Sequence, residues 1–366
     1  MKILVLTTSY PKGEEVEAFF VHTRNLYYAS KGHEVTVLNF NTEENYFKDG
    51  IKVISPEGFS REEKYDLTIS HAPNLKNHYK FLTENKDYLG KIVFFFHGHE
   101  VLKQSKIYPP DYDFVRKNNP VKKIMADGYD SFKLLVWKRY FRSSKDNIHM
   151  VFVSQWMKDM FLRFTGMKEE EIRNSSSIIY NSVGKSFEKR GYNPETEKKY
   201  DFVTIRGNID GSKYCIDLIN NMALRNPDLK FKVIGKGKYF DHNIKAENIV
   251  YRNQNLTHSD IILELDKSRA ALLPTRTDAQ GVMACEVLTY GIPLVTSEIP
   301  VCKEVFGGLS NVALISNVEM AGRDIDLKKV LNNLESNFRE EEVSKYLTDN
   351  TIEKELQLFK SILSKS

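Results

Sequence analysis

Cysteine is scarce in this chain. Three occur in 366 residues, Cys215, Cys285 and Cys302, far apart and with no C-x-x-C pair. An odd number at such spacing argues against a disulfide framework or a structural zinc site, and a reducing cytoplasm is the simple reading. Long apolar runs are also lacking. No stretch reaches the roughly 18 apolar residues of a membrane-spanning helix. The opening MKILVLTTSYP has an apolar run too brief for a signal peptide and no small-residue cleavage site, so a buried first strand is expected. Charge of one sign is nearly balanced away, with 53 Lys+Arg against 49 Asp+Glu and a net +4. This fits an acidic ligand such as a phosphate and gives no ground for a nucleic-acid partner. What remains is a globular composition, 41% hydrophobic and 28% charged. The length suits two domains of about 150–200 residues each.

Short apolar runs alternate with longer amphipathic stretches. Ile3–Thr7 has strand length, Phe19–Ser30 has helical spacing, Gly32 stops that helix, and Glu34–Asn39 reads as the next strand. Further strands are expected at Leu67–Ser70, Ile92–Phe96, Met150–Val153 and Ser177–Tyr180. The polar, lysine-rich Gly184–Lys199 reads as the connection between domains. The pattern then restarts. Strands are expected at Phe202–Ile205, Phe231–Ile234, Ile249–Tyr251, Ala270–Leu273 and Leu294–Thr296, with helices at Ile216–Asn226 and Ser259–Lys267. Ile352–Leu363 is amphipathic and reads as a terminal helix. These halves predict an α/β fold of two Rossmann-like doubly wound domains facing across a cleft, with ligands beyond the C-terminal ends of the strands. The expected bounds are 1–183, 184–345 and a terminal helix, 346–366, packing back on the first domain.

The most informative segment is LPTRTDAQGVMACE, Leu273–Glu286. A strand ends near Pro274, a loop carries Asp278 and Gly281, and a helix follows. An acid in the loop and Glu286 on the helix can address two sets of hydroxyls on one ligand. The N–H groups of Gly281, Val282 and Met283 would open the helix, and such ends bind phosphate. The segment resembles the Glu–seven-residues–Glu signature of retaining family-4 glycosyltransferases with the GT-B fold. The following TYGIPLVTSEIPVCKEVF is similar to the family's A-x-G-x-P-V-V-x-S run. The resemblance implies that Asp278 contacts the donor sugar, that Glu286 binds the ribose hydroxyls, and that Gly281–Met283 hold the diphosphate. Asp278 stands where the family has Glu, one methylene longer.

Other motifs join this one in order. TIRGNIDGSKY places Arg206 at a strand end and Lys213 after a glycine-containing loop, two cations able to neutralise a diphosphate. The pair resembles the family's Gly-Arg…Lys-Gly site with altered spacing. FKVIGKG runs a strand into Gly235 and Gly237, where backbone can approach a ligand closely. The segment around Tyr251–Asn253 is where the resemblance implies the base is held. FFFHGHE puts His97 on a loop after an apolar strand, and the resemblance implies contact with the donor sugar at the reaction centre. His97, His99 and Glu100 lack the further ligands of a closed metal site, so no metal and no cofactor is expected. SYPKGE after the first strand offers Gly13 beside the donor phosphates, and IIYNS, Ile178–Ser182, resembles the end of the family's N-terminal domain. Asp111–Asp113 and Asp324–Asp326 read as chance Asp-x-Asp pairs.

The reaction implied is transfer from a UDP- or GDP-sugar, UDP being the commoner base, to a saccharide or lipid-linked saccharide in bacterial envelope or exopolysaccharide synthesis. Lys103–Lys145 holds eleven Lys/Arg against four Asp, and FKLLVWKRYFR mixes aromatics with cations. That composition suits an interfacial helix on an anionic membrane surface, at the inner face of the membrane. It suits equally a helix with Leu, Val and Trp packed inward and a solvated basic face. A UDP-sugar epimerase of the same architecture and a non-catalytic nucleotide-sugar-binding subunit stay open. A nicotinamide dehydrogenase is disfavoured, because no G-x-G-x-x-G follows the first strand.

Overall fold

In the computed structural model, residues 1–12, 19–115, 120–189, 191–322, 325–334 and 339–364 are described. The chain forms two compact units. The first comprises Met1–Gln104, Lys122–Ser182 and Asp349–Ser366, and the second Ser105–Val121 and Val183–Thr348.

The first unit is built on a sheet of β1 (Lys2–Thr7), β2 (Glu34–Asn39), β3 (Tyr46–Lys48), β4 (Ile51–Ile54), β5 (Leu67–His71), β6 (Lys91–Phe96), β7 (Ile148–Phe152) and β8 (Ser176–Ile178). The order is β3-β4-β2-β1-β5-β6-β7-β8. Every pair is parallel except β3–β4. Strands β5 and β7 are buried along their whole length, as parallel strands covered on both faces must be. The helix Phe19–Ser30 takes the expected bounds, and Gly32 follows it at φ 81. The hairpin β3–β4 was not expected from the sequence. Asp49 and Gly50, at φ 48 and 83, make its two-residue turn, the left-handed pair that such hairpins require.

The terminal helix Thr348–Ser364 buries Ile352, Leu356 and Phe359 among Ile3, Val5, Val37, Ile69 and Val93. Each such side chain contributes about 1.5–3 kcal/mol. A buried ion pair adds a specific tie. Arg24 Nε donates to Glu355 Oε1 at 2.9 Å, Arg24 Nη2 donates to Asn181 Oδ1 at 3.0 Å, and the Tyr28 hydroxyl donates to Glu355.

The second unit carries β9 (Tyr200–Asn208), β10 (Phe231–Lys236), β11 (Ile249–Arg252), β12 (Ser268–Leu272), β13 (Leu294–Ser297) and β14 (Val312–Ile315). The order is β11-β10-β9-β12-β13-β14 with every pair parallel. Strand order reverses between β9 and β12, the switch point where open α/β sheets bind ligands. The molecule is thus α/β with two parallel-sheet units, matching the fold class expected above.

Two stretches behave differently from the expectation. Ser105–Val121, read with the first domain, groups with the second unit. Tyr112 and Phe114 account for this: they pack against Tyr239, and the Tyr112 hydroxyl donates to Asp217 at 2.7 Å. The polar Gly184–Lys199 is no free connection either. Phe187 and Tyr192 are buried, and Tyr192 donates to the carbonyls of Ser268 and Arg269.

Candidate active site

In the second unit, the ends of β9, β10 and β12 converge. Arg206 leaves β9 half-buried, with Nη2 donating to the Pro274 carbonyl at 2.8 Å and Nε buried without a partner. Burial pulls its pKa down, and the charge of Asp278 opposes that. Lys213 sits in a single 3-10 turn, Ser212–Tyr214. Its carbonyl accepts from Arg276 N at 2.8 Å and Thr275 Oγ1 at 3.1 Å, so the turn is fastened to the loop after β12. Tyr214 meets both cations. Its ring centroid is 5.0 Å from Arg206 Cζ and 4.7 Å from Lys213 Nζ. No ion pair among the described residues reaches either cation.

The loop after β12 is held rigidly. Thr275 N donates to Ser297 Oγ at 2.8 Å, and Asn317 donates to the Thr275 carbonyl at 3.1 Å. Arg276 forks onto Asp217 through both carboxylate oxygens, which explains a basic residue in the motif as a fastener of the loop. Asp278 follows, its Oδ1 accepting from Ala279 N at 2.8 Å. Gly281 then adopts φ 85 and starts the helix Val282–Tyr290. The first carbonyl of that helix serves Ala284 and Cys285, so Gly281, Val282 and Met283 present the unclaimed N–H groups of a helix start. Asp278 Oδ2 lies 3.7 Å from where a Gly281 Cβ would stand.

Gly235 and Gly237 are required by the packing of the chain itself. A Cβ on Gly235 would stand 2.1 Å from the Arg206 carbonyl oxygen, and one on Gly237 would stand 2.5 Å from Ile209. The space they leave is filled by the chain's own loop after β9, so they act by letting β10 support Arg206. Tyr251 caps both, donating to the Gly235 and Gly237 carbonyls at 3.0 Å.

Glu286 is one turn into the helix, 6% exposed, with Oε1 accepting from Gly184 N at 3.1 Å and Oε2 without a partner among the described residues. Burial raises its pKa to about 7, and the Gly184 N–H opposes that. His258 borders the same spot. A Cβ on Gly184 would stand 3.0 Å from His258 Cε1 and 3.2 Å from Glu286 Oε1. Gly184, His258 and Tyr214 were not singled out from sequence. Gly184 looked like linker, and nothing in spacing brings residue 258 to residue 286.

In the first unit, His97 follows β6. Its Nε2 meets His71 Nδ1 at 3.0 Å, Phe20 covers it at 4.7 Å between ring centroids, and Glu100 accepts from the His97 and Gly98 amides. Desolvation, reinforced by the Arg24 charge, pulls His97 down to about 3, so its ring is neutral at pH 7. His71 Nε2 is buried without a partner. Gly13 lies outside the described residues, as does Asp324.

Helix Pro120–Ser143 has two apolar faces. Leu134, Trp137 and Phe141 are buried, while Ile124, Met125, Tyr129, Phe132 and Leu135 are 45–72% exposed along one side. Among the described residues no helix is long and apolar enough to cross a membrane, and no three His, Cys, Asp or Glu side chains converge as metal ligands.

Residues 187–342 match the family described as glycosyl transferases group 1. No curated protein matches the chain. Solved structures similar in fold include a sucrose-phosphate synthase from Thermosynechococcus elongatus, 11% identical, covering 100% of both chains with a TM-score of 0.72. A glycosyltransferase from Rickettsia africae is 15% identical, covering 100% of this chain and 99% of its own, with a TM-score of 0.69. An Anabaena protein solved with UDP and glucose is 14% identical, covering 99% of each chain, with a TM-score of 0.67. Residues 187–342 are therefore similar to the glycosyl transferases group 1 family, and the two parallel-sheet units share the GT-B fold of these solved structures.

Proposed function

We propose that the chain is a glycosyltransferase that takes a sugar from a nucleoside diphosphate sugar, UDP before GDP, and passes it with retention to a saccharide or lipid-linked saccharide in bacterial envelope or exopolysaccharide synthesis. One observation carries the donor assignment: two cations that form no ion pair among the described residues, Arg206 and Lys213, stand at the β9/β12 switch point with an open helix start. Fixed positive charge waiting for an anion is what a departing diphosphate needs. The UDP preference draws on the Anabaena neighbour, which was solved with that nucleotide.

In this reading the bond between the sugar's anomeric carbon and the β-phosphate oxygen breaks, and the acceptor oxygen bonds to the same face. The acceptor's proton passes to a leaving phosphate oxygen. Arg206, Lys213 and the Gly281–Met283 amides stabilise the charge that develops, Glu286 accepts from the ribose hydroxyls, and Asp278 accepts from the donor sugar. His97, being neutral, offers the sugar a hydrogen bond without a competing charge.

For the lipid-linked acceptor and peripheral membrane placement, the support is the exposed row Ile124–Leu135, with Lys123 and Arg139 also exposed on the same helix. An apolar row flanked by cations matches an anionic bilayer surface. Vesicles of anionic lipid should bind the protein at low salt and release it at high salt. Absence of binding at low salt removes the membrane from the proposal.

A thermal-shift and turnover screen against UDP, GDP and their sugars tests the reaction. A ligand of the folded state raises the melting temperature by mass action. Stabilisation by one nucleotide with slow release of its sugar is expected. Binding without release or transfer, whatever the acceptor, would favour an idle subunit instead.

A further inference from the structure

We propose that Tyr214 is a positioning residue whose ring holds Arg206 and Lys213 together as one anion-binding pair; the inference rests on the donor reading above. Two like charges that share no counter-ion repel, and flexible cations in that position would swing apart into water. Here both cations lie over the one Tyr214 ring, whose centroid is 5.0 Å from Arg206 Cζ and 4.7 Å from Lys213 Nζ. Contacts inside about 6 Å of a ring centroid are attractive, because the face of the ring is negative. The arrangement stays electropositive outward, since the ring adds no net charge.

The chain is shaped to hold that ring. A Cβ on Gly211 would stand 3.2 Å from Tyr214 Cδ2, so the glycine makes room for the ring over its own turn. Tyr214 N donates to the Gly211 carbonyl at 2.9 Å, closing the turn. Cys215, the next residue, takes φ 56, a left-handed conformation that a non-glycine residue adopts at a cost. A second ring, Tyr108 of the Ser105–Val121 segment, lies 5.7 Å from Lys213 Nζ. Among the described residues no second ring lies over Arg206, and its buried Nε has no partner there, so Tyr214 is its aromatic contact.

The function of the pair is to meet two phosphates at once. A ligand with one phosphate can use either cation alone; a diphosphate uses both and depends on their spacing. Tyr214 therefore acts on the preference for a diphosphate over a monophosphate, not on nucleotide binding in general.

The test is calorimetric titration of the full chain with UDP, UMP, GDP and GMP, in the wild type, Tyr214→Leu and Tyr214→Phe. The wild type should bind one diphosphate more tightly than its monophosphate. Tyr214→Leu should weaken the diphosphate about tenfold and leave the monophosphate within a factor of about two. Tyr214→Phe, which keeps the ring, should restore the preference. Equal loss for both nucleotides, or no loss, overturns the inference. If Tyr214→Leu lowers the ligand-free melting temperature, Tyr214→Met, unbranched and without a ring, carries the same comparison. A wild type that binds no nucleotide overturns the donor reading itself, an outcome distinct from a bound diphosphate indifferent to residue 214.

Discussion

Glu286→Gln should make the ligand-free protein more stable and a poorer nucleotide binder. The carboxylate is almost wholly buried and receives one N–H, from Gly184. Its pKa rises from 4.5 to about 7, chiefly by desolvation. Above pH 7 the folded state therefore holds a charge it would rather not hold. In the unfolded chain the same group ionises at its ordinary value. Between these two values the folded state binds a proton that the unfolded chain has lost, so this group's contribution to stability falls as pH rises from about 4.5 to 7. A carboxyl raised from 4.5 to about 7 carries a full penalty of about 3 kcal/mol.

Glutamine keeps the shape, and its carbonyl oxygen can still accept from Gly184 N, so the substitution removes the penalty with little else. Urea melts of ligand-free protein should show Glu286→Gln more stable by about 3 kcal/mol at pH 8 and by about 1 kcal/mol or less at pH 5. For a unit of this size the gain at pH 8 corresponds to about 6–12 °C in melting temperature. Nucleotide affinity should fall over the same comparison, because an amide accepts ribose hydroxyls through one oxygen instead of two. A gain that is the same at both pH values, or a loss of stability at pH 8, refutes the reasoning.

Other outcomes follow from the same geometry. Lys213→Ala should lower kcat about a hundredfold or more with the ligand-free melting temperature nearly unchanged, read by steady-state kinetics alongside thermal melts; unchanged kcat removes Lys213 from the site. Acid should destabilise the first unit before most carboxylates titrate. The unfolded chain takes up a proton at His78 near pH 6.5, whereas burial holds the folded value at about 3. Stability present above pH 6.5 is thus lost as pH falls toward 3, by about 4–5 kcal/mol for this residue. Melts from pH 7 to 4 check this, and His78→Phe should flatten the dependence. Glu355→Ala should cost about 3–5 kcal/mol in urea melts, because it leaves Arg24 buried without its carboxylate.

The parallel-sheet architecture was legible because period and punctuation agreed. Phe19–Ser30 and Glu34–Asn39 have the bounds that apolar spacing and Gly32 predicted. The motif Leu273–Glu286 was legible because strand, glycine turn and helix are contiguous, so local spacing is nearly geometry. What stayed hidden was non-local. Glu355 pairs with Arg24 across 331 residues, and no periodicity announces a partner at that distance. Gly184 looked like linker because its purpose, room for Glu286 and His258, depends on residues far along the chain. Gly235 and Gly237 were expected to clear a way for a ligand; a missing side chain cannot say which atoms fill its place, and here they belong to the loop after β9.

Buried charge sorts the polar residues of this molecule into two kinds. Arg24 with Glu355, Arg276 with Asp217, and Lys133 with Asp130 are paired; the first two tie one element to another, and the third lies within the helix Pro120–Ser143. Arg206, Lys213 and Glu286 are left without an ion-pair partner among the described residues, and all three lie around the β9/β12 switch point. Burying an unpaired charge is costly. A fold that supplies Arg24 and Arg276 with carboxylates, yet leaves Arg206 beside an aromatic ring, keeps that cost where an anion can relieve it. Glu286 makes the complementary case, a carboxylate with one N–H donor and an unused oxygen, waiting for hydroxyls. A nucleoside diphosphate has both: anionic phosphates for the cations and a ribose diol for the acid. The ligand that the motif implies by resemblance, if it binds as proposed, would therefore bring partners to these three side chains of the second unit.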